Sequence, residues 1–330
     1  MQRSNFKRIM AVVMSLPVLP LFADSATDDA PSAVMPAPVY VALQTTGAVQ
    51  RLAGPDGGAT YPDMPNAHYI AVSDDGERVL VSDIGNGRAY ILDTASGKKT
   101  GDIPVGDVAQ GVKISPDGRY GLAIGAGPGL LTKIDLETGA ALQQMPIGAN
   151  PHNIRFTADG GMAYVSLQGA GAIALVDVAK WEKVREIEVE GMATPHNIDL
   201  SDDERRLWIR DFEGTAAVVE IESGEVLARF EAGPSHGGID VVPGGRYVAT
   251  VAIGGRHVLL IDQRSLETVR SIEVGQGPHG VRASADGRWL YVGLTGDNEI
   301  AVVDMETLAV AHRLAADGEF PFWLAVPGNR

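Results

Sequence analysis

Ser284-Ala285-Asp286-Gly287, then Trp289-Leu290-Tyr291-Val292-Gly293-Leu294, then Glu299-Ile300-Ala301-Val302-Val303-Asp304: this stretch decides the fold. It reads as a turn, an apolar run, a second turn, and another apolar run closed by an acid. Alternation, β-branched residues and glycine turns at this spacing mark short antiparallel strands. The pattern recurs along the chain. The closing acid returns as Asp93, Asp135, Asp177, Glu220, Asp262 and Asp304, at intervals of 42, 42, 43, 42 and 42 residues. The turn returns as Ser73-Asp74-Asp75-Gly76, Ser115-Pro116-Asp117-Gly118, Thr157-Ala158-Asp159-Gly160 and Ser201-Asp202-Asp203-Glu204. Val242-Pro243-Gly244-Gly245 takes its place once.

Working outward, the first repeat divides into four strands: Tyr69–Val72, Arg78–Ser82, Ala89–Asp93 and Thr100–Val105. Four strands in about 42 residues is the spacing of a propeller blade. Residues 39–330 accommodate about seven such units. Six begin near residues 66, 108, 150, 194, 234 and 277. The seventh is split. Tyr40-Val41-Ala42-Leu43 matches the second strand of a repeat, Gly47–Leu52 the third, and Phe322–Val326 the first. The expected fold is all-β: a seven-bladed β-propeller over residues 39–330, with the N-terminal strands and the C-terminal strand closing one blade. Closure removes the edges an open sheet would expose.

Composition agrees. Of 330 residues, 45% are hydrophobic and 21% charged, a globular balance. Arg3, Lys7 and Arg8 precede an apolar run, Ile9–Phe22. That is the pattern of a signal peptide, residues 1–23, too short to span a membrane. Residues 24–38, rich in Asp, Ala, Ser and Pro, read as a flexible leader. The expected location is therefore periplasmic or secreted, with no membrane anchor. Cysteine is absent, which excludes disulfides, thiolate ligands and c-type haem. The net charge of −15 repels nucleic acid, so no such partner is expected. No nucleophile elbow, phosphate loop or H-E-x-x-H motif occurs, and whether the chain is an enzyme stays open.

The phrases Trp289–Leu294 and Glu299–Asp304 resemble the repeat of YVTN-family (YncE-like) propellers, across essentially the whole mature chain. Relatives of that repeat include the haem-d1 propellers of nitrite reductases and the copper-holding propeller of nitrous-oxide reductase. The resemblance implies the fold and leaves the function open.

One repeat position carries chemistry. Seven residues before the turn aspartate, or its equivalent, stand His68, Gln110, His152, His196, His236, His279 and Phe322. Five of the seven histidines share this place; His257 and His312 do not. The position is where the chain enters the innermost strand of each blade, so its residues form a ring at one channel mouth. Neutral imidazoles without thiolate suit Cu or Zn. Asp83 and Asp211, at second-strand ends on the same face, are candidate supports for the ring, with Glu213 nearby. Trp323, near the mouth, is a candidate stacking surface for a planar cofactor and equally a core residue. Lys113, Arg155, Asp199 and Arg282, three residues further on, are expected to pair between blades.

The expected function is an exported binding propeller whose histidine ring holds a metal or cofactor. The alternatives are a non-catalytic scaffold for proteins or envelope components, a haem-d1-handling propeller, and a metal-free lactonase-like hydrolase. Each blade copies one unit, so the repeat favours a structural role for these histidines, hydrogen-bonding a neighbouring blade's loop, over a metal site. Protein or small-molecule ligands are expected at the loop faces of a monomer. Mass spectrometry of fractionated cells is expected to find mature protein lacking the first ~23 residues; an intact Met1 on soluble cytoplasmic protein would refute export.

Overall fold

A computed structural model describes residues 38–54 and 58–329. The expected signal peptide, and the leader apart from Pro38, lie outside the described residues. Those described form 28 strands in seven four-stranded antiparallel sheets. The first blade runs Ala67–Val72, Arg78–Asp83, Arg88–Asp93, Lys98–Pro104, within two residues of each sequence-predicted boundary. The innermost strands of blades one to seven are Ala67–Val72, Ala109–Ile114, Pro151–Phe156, Pro195–Leu200, Ile239–Val241, Pro278–Ala283 and Pro321–Ala325. Each packs on the next, and the seventh on the first.

The repeated turn explains why each blade folds locally. Ser73 Oγ donates to Asp75 Oδ1 at 2.5 Å and accepts from Arg78 N at 3.0 Å, while Asp75 Oδ1 accepts from Glu77 N at 2.9 Å. The same lock recurs at Ser115/Asp117, Thr157/Asp159, Ser201/Asp203 and Ser284/Asp286. Its fourth residue is left-handed, with φ of 73° at Gly76 and 69° at Gly118, where glycine carries no steric cost.

Burial falls outward across a blade. Pro151–Phe156 is wholly buried, whereas in the outermost strand Glu182–Glu188 only Ile187 is. The core therefore lies between neighbouring sheets, close to the axis. Ring closure follows the expected design. Pro321–Ala325 pairs with Val39–Leu43 through Tyr40↔Ala325, Val41↔Leu324 and Ala42↔Trp323. The backbone then continues past Val326 to Asn329, whose amide donates to Asp240 Oδ2 at 3.1 Å and to Ala283 O at 2.9 Å.

Deleting Phe322–Arg330 removes buried Phe322, Trp323 and Leu324 and leaves the Val39–Leu43 edge open. At 1.5–3 kcal/mol per large apolar side chain, the loss is about 5 kcal/mol or more. The truncated chain is expected to aggregate or to melt at a much lower temperature; an unchanged melting temperature would refute closure as the source of stability.

Candidate metal centre

The innermost strands deliver the ring residues because each begins one residue before them. Pro151, Pro195 and Pro278 open their strands, and His152, His196 and His279 follow. A register shift just after each proline marks a bulge at the histidine. All three rings are buried, as is His68.

Blade five departs from this. Its turn, matched by Val242 N donating to Tyr247 O, places Gly237 rather than His236 at the ring position. The innermost strand there begins only at Ile239, and His236 sits one residue early, in the loop. Four histidines, not five, therefore share one structural position. Freed from the pleat, His236 still turns toward its neighbours and remains half-exposed. Arg210, fully buried, fixes that loop: its Nη2 donates to Ser235 O at 2.5 Å and to Gly233 O at 3.3 Å.

His196, His236 and His279 come together, with one ring nitrogen of each within 4.8 Å of the others. The second nitrogens are engaged. His279 Nδ1 donates to Phe322 O at 3.0 Å, which leaves its buried Nε2 as an unpartnered lone pair. His236 Nδ1 lies 3.1 Å from Ser235 Oγ. His196 Nδ1 lies 2.6 Å from the Gln168 amide nitrogen, and its buried Nε2 has no partner. Turning the Gln168 amide over, together with that of Asn150, which donates to its oxygen at 3.1 Å, would place the ring proton on Nδ1 and free Nε2 as an electron-pair donor to a metal.

The other two histidines are placed differently. His152 stacks on His196 with centroids 3.7 Å apart and donates Nδ1–H to His196 O at 3.3 Å. His68 is held between Gln44 and Gln110, 3.1 and 3.2 Å from their amide oxygens, and stacks on Phe322 at 4.1 Å. Phe322 also stacks on His279 at 3.8 Å, so it separates His68 from the trio.

Asp83 and Asp211 do not support the imidazoles. Asp83 accepts from Asn66 Nδ2, Gly85 N, Asn86 N and Tyr90 OH. Asp211 accepts from the backbone of Glu213, Gly214 and Thr215. Both lock turns. Successive residues at a strand end face opposite ways, and the residue after the second strand is the one that meets the ring. Those residues are Gln44 in blade seven, Gln168 in blade three and Phe212 in blade four, the last stacked on His236 at 4.6 Å. Counting one position further would have found them.

Trp323 does not line the mouth. It is buried one tier inward, against Tyr69 at 4.4 Å and under the Arg282 guanidinium at 4.7 Å. Tyr69 OH donates to Asn197 Oδ1 at 2.8 Å, and the three side chains floor the histidine tier. Arg155 and Arg282 pair between blades as expected, with Asp199 and Asp240. Asp240 escaped the sequence count because of the blade-five offset.

Residues 129–287 match the family model described as YNCE-like beta-propeller. Over those residues the propeller resembles the YNCE-like family. No curated protein matches the chain. Among solved structures, hydrazine synthase of Kuenenia stuttgartiensis is 20% identical, with 83% of this chain and 93% of that chain covered at a TM-score of 0.72. A functionally unknown protein from Desulfotomaculum acetoxidans DSM 771 is 16% identical, with coverage of 88% and 98% and a TM-score of 0.75. Dihydro-heme d1 dehydrogenase NirN in complex with DHE is 17% identical, with coverage of 89% and 76% and a TM-score of 0.65. At such identities the likeness to these structures is one of fold.

Burial keeps the imidazoles neutral. It holds His152, His196 and His279 well below the ordinary histidine value. It pushes His68 down to about 3, and, with the nearby Arg210 charge, His236 to about 4. Each ring is thus less basic folded than unfolded, so unfolding takes up protons once pH drops below about 6.5. Stability present above that value is lost as pH falls toward the folded values. Asp240, raised by burial, works in the opposite sense with one proton. The unfolding free energy of metal-free protein, from urea titrations, is expected to fall steadily between about pH 6.5 and 4, by about 1.4 kcal/mol per pH unit for each ring held neutral. A flat profile across that window would show that the rings titrate normally.

Proposed function

We propose that this protein is an exported binding propeller that holds a Cu or Zn ion at His196, His236 and His279. The observation that carries this reading is that one ring nitrogen each of His196, His236 and His279 lie within 4.8 Å of one another, while the buried Nε2 atoms of His196 and His279 have no partner. A buried polar atom without a partner is costly, and a cation at this point satisfies both. Three neutral nitrogen donors with no thiolate suit copper or zinc, and they need no deprotonation at neutral pH. His279 already shows the support expected of a ligand, with its far N–H on a carbonyl. A tetrahedral ion at about 2.0–2.1 Å would draw the nitrogens closer than 4.8 Å, and half-exposed His236 is the member free to move. The open fourth position would face the mouth, beside exposed Phe212.

A planar tetrapyrrole is the second reading, raised by the likeness to the NirN dehydrogenase. The packing opposes it. Imidazole centroids stand 3.7 Å apart at His152–His196 and 5.1 Å apart along His196–His236–His279, with no slot between the rings.

Calorimetric titration of metal-free mature protein with zinc sulfate or copper sulfate tests the proposal. One saturable equivalent is expected. The variant His196→Gln/His236→Gln is expected to lose it while keeping the parental circular dichroism and cooperative melt, since Gln110 already stands in the ring. Equal binding by parent and variant would overturn the assignment. A visible band in protein purified from cells would favour the tetrapyrrole, and a colourless parent that binds neither metal would favour the scaffold.

A further inference from the structure

Beneath the Trp323–Tyr69 floor lies a second polar tier. It is built three residues past the ring position: Lys113 in blade two, Arg155 in three, Asp199 in four, Asp240 in five and Arg282 in six. Three cations face two carboxylates. Asp199 accepts from Arg155 Nε at 2.7 Å and, through its other oxygen, from Val241 N at 2.7 Å. Asp240 accepts from Arg282 Nη1 at 2.8 Å through Oδ1, and from Ala283 N and Asn329 Nδ2 through Oδ2. All four carboxylate oxygens thus have partners.

The cations do not. Arg155, with a side chain 3% exposed, leaves its Nη2 without a hydrogen bond, 3.6 Å from Asp240 Oδ1. The Lys113 side chain makes no hydrogen bond or ion pair among the described residues. Both line one small cavity with Asn153, Arg282, Trp323 and Asn329, and it has room for a water-sized body. Burial and the two neighbouring guanidinium groups push the Lys113 amine well below its ordinary range. Arg155 is buried and keeps only its Nε on Asp199, and Lys113 is half-buried; a buried guanidinium donor left without an acceptor is unfavourable.

We propose that this cavity is a binding site for one small monovalent inorganic anion of halide size, held between Arg155 Nη2 and Lys113 Nζ. An anion supplies the missing partner to the guanidinium and restores the lysine's charge, so that three cations meet three negative charges. Lys113 and Asn329 are shared with a second cavity that opens toward Ser73, Asp74 and Ser115, at the turn face of the propeller. The anion would enter from that face, past Asn329, and not through the histidine mouth. The site is independent of any metal at His196, His236 and His279.

Bromide titration of the mature protein in halide-free buffer tests this. Tryptophan fluorescence, to which Trp323 on the cavity wall contributes, follows binding, and anomalous diffraction from a bromide-grown crystal locates the ion. A single saturable site is expected, with the ion in contact with Lys113 and Arg155. Lys113→Met should bind bromide at least about tenfold more weakly, the effect of losing one charge-assisted hydrogen bond, whereas His196→Gln/His236→Gln should bind it as the parent does. Arg155→Gln disrupts the buried pair with Asp199 and risks misfolding; Lys113→Met breaks no hydrogen bond and is the deciding variant. Absence of saturable binding in the parent, or equal affinity in Lys113→Met, would overturn the proposal.

Discussion

The pairing of Pro321–Ala325 with Val39–Leu43 is the contact on which the rest depends. Six blades joined only in sequence order would form an open, curved stack. The seventh, assembled from both ends of the sheet-forming chain, turns the stack into a ring. Only then do the innermost strands face a common axis, and only then do residues about 42 positions apart become neighbours. Phe322 illustrates the coupling. It lies in the closing strand, stacks on His68 and His279, and gives its carbonyl to His279 Nδ1. The pairing that joins the sheet thus also orients one ring of the histidine trio.

The axis is stratified by polarity. At one end are neutral imidazoles packed on aromatic faces. Below them Tyr69, Asn197 and Trp323 form a floor. Under the floor lies a tier of full charges, Arg155–Asp199 and Arg282–Asp240. The order has an electrostatic logic. Guanidinium groups adjacent to the histidines would oppose any cation there, and the floor keeps them a layer away. Arg210 is the exception, and it is surrounded by backbone carbonyls that disperse its charge.

Much of this was legible in the sequence. The 42-residue period, the Ser-x-Asp-Gly turns and the split seventh blade set the architecture, because each reflects a local backbone requirement repeated without interruption. The histidines were legible as a class for the same reason. What escaped were the features that depend on register at strand ends. Asp83 and Asp211 were expected to face the ring and instead bind their own turns, while Gln44, Gln168 and Phe212, one residue further on, face it. The position of Trp323, one tier inside the mouth, follows the same alternation along the closing strand. Asp240 was missed because counting from His236 lands on Ile239, and no single period describes a blade whose strand starts late.

That late start breaks a symmetry. A ring of seven equivalent positions offers every neighbouring pair the same separation, so no subset of identical side chains is singled out. Displacing one imidazole by a single residue, onto a loop pinned by Arg210, makes blade five unlike the others and gives the circle a unique direction. A rotationally repetitive scaffold thereby acquires a distinct address on its rim, created by a one-residue slip and not by any new type of side chain.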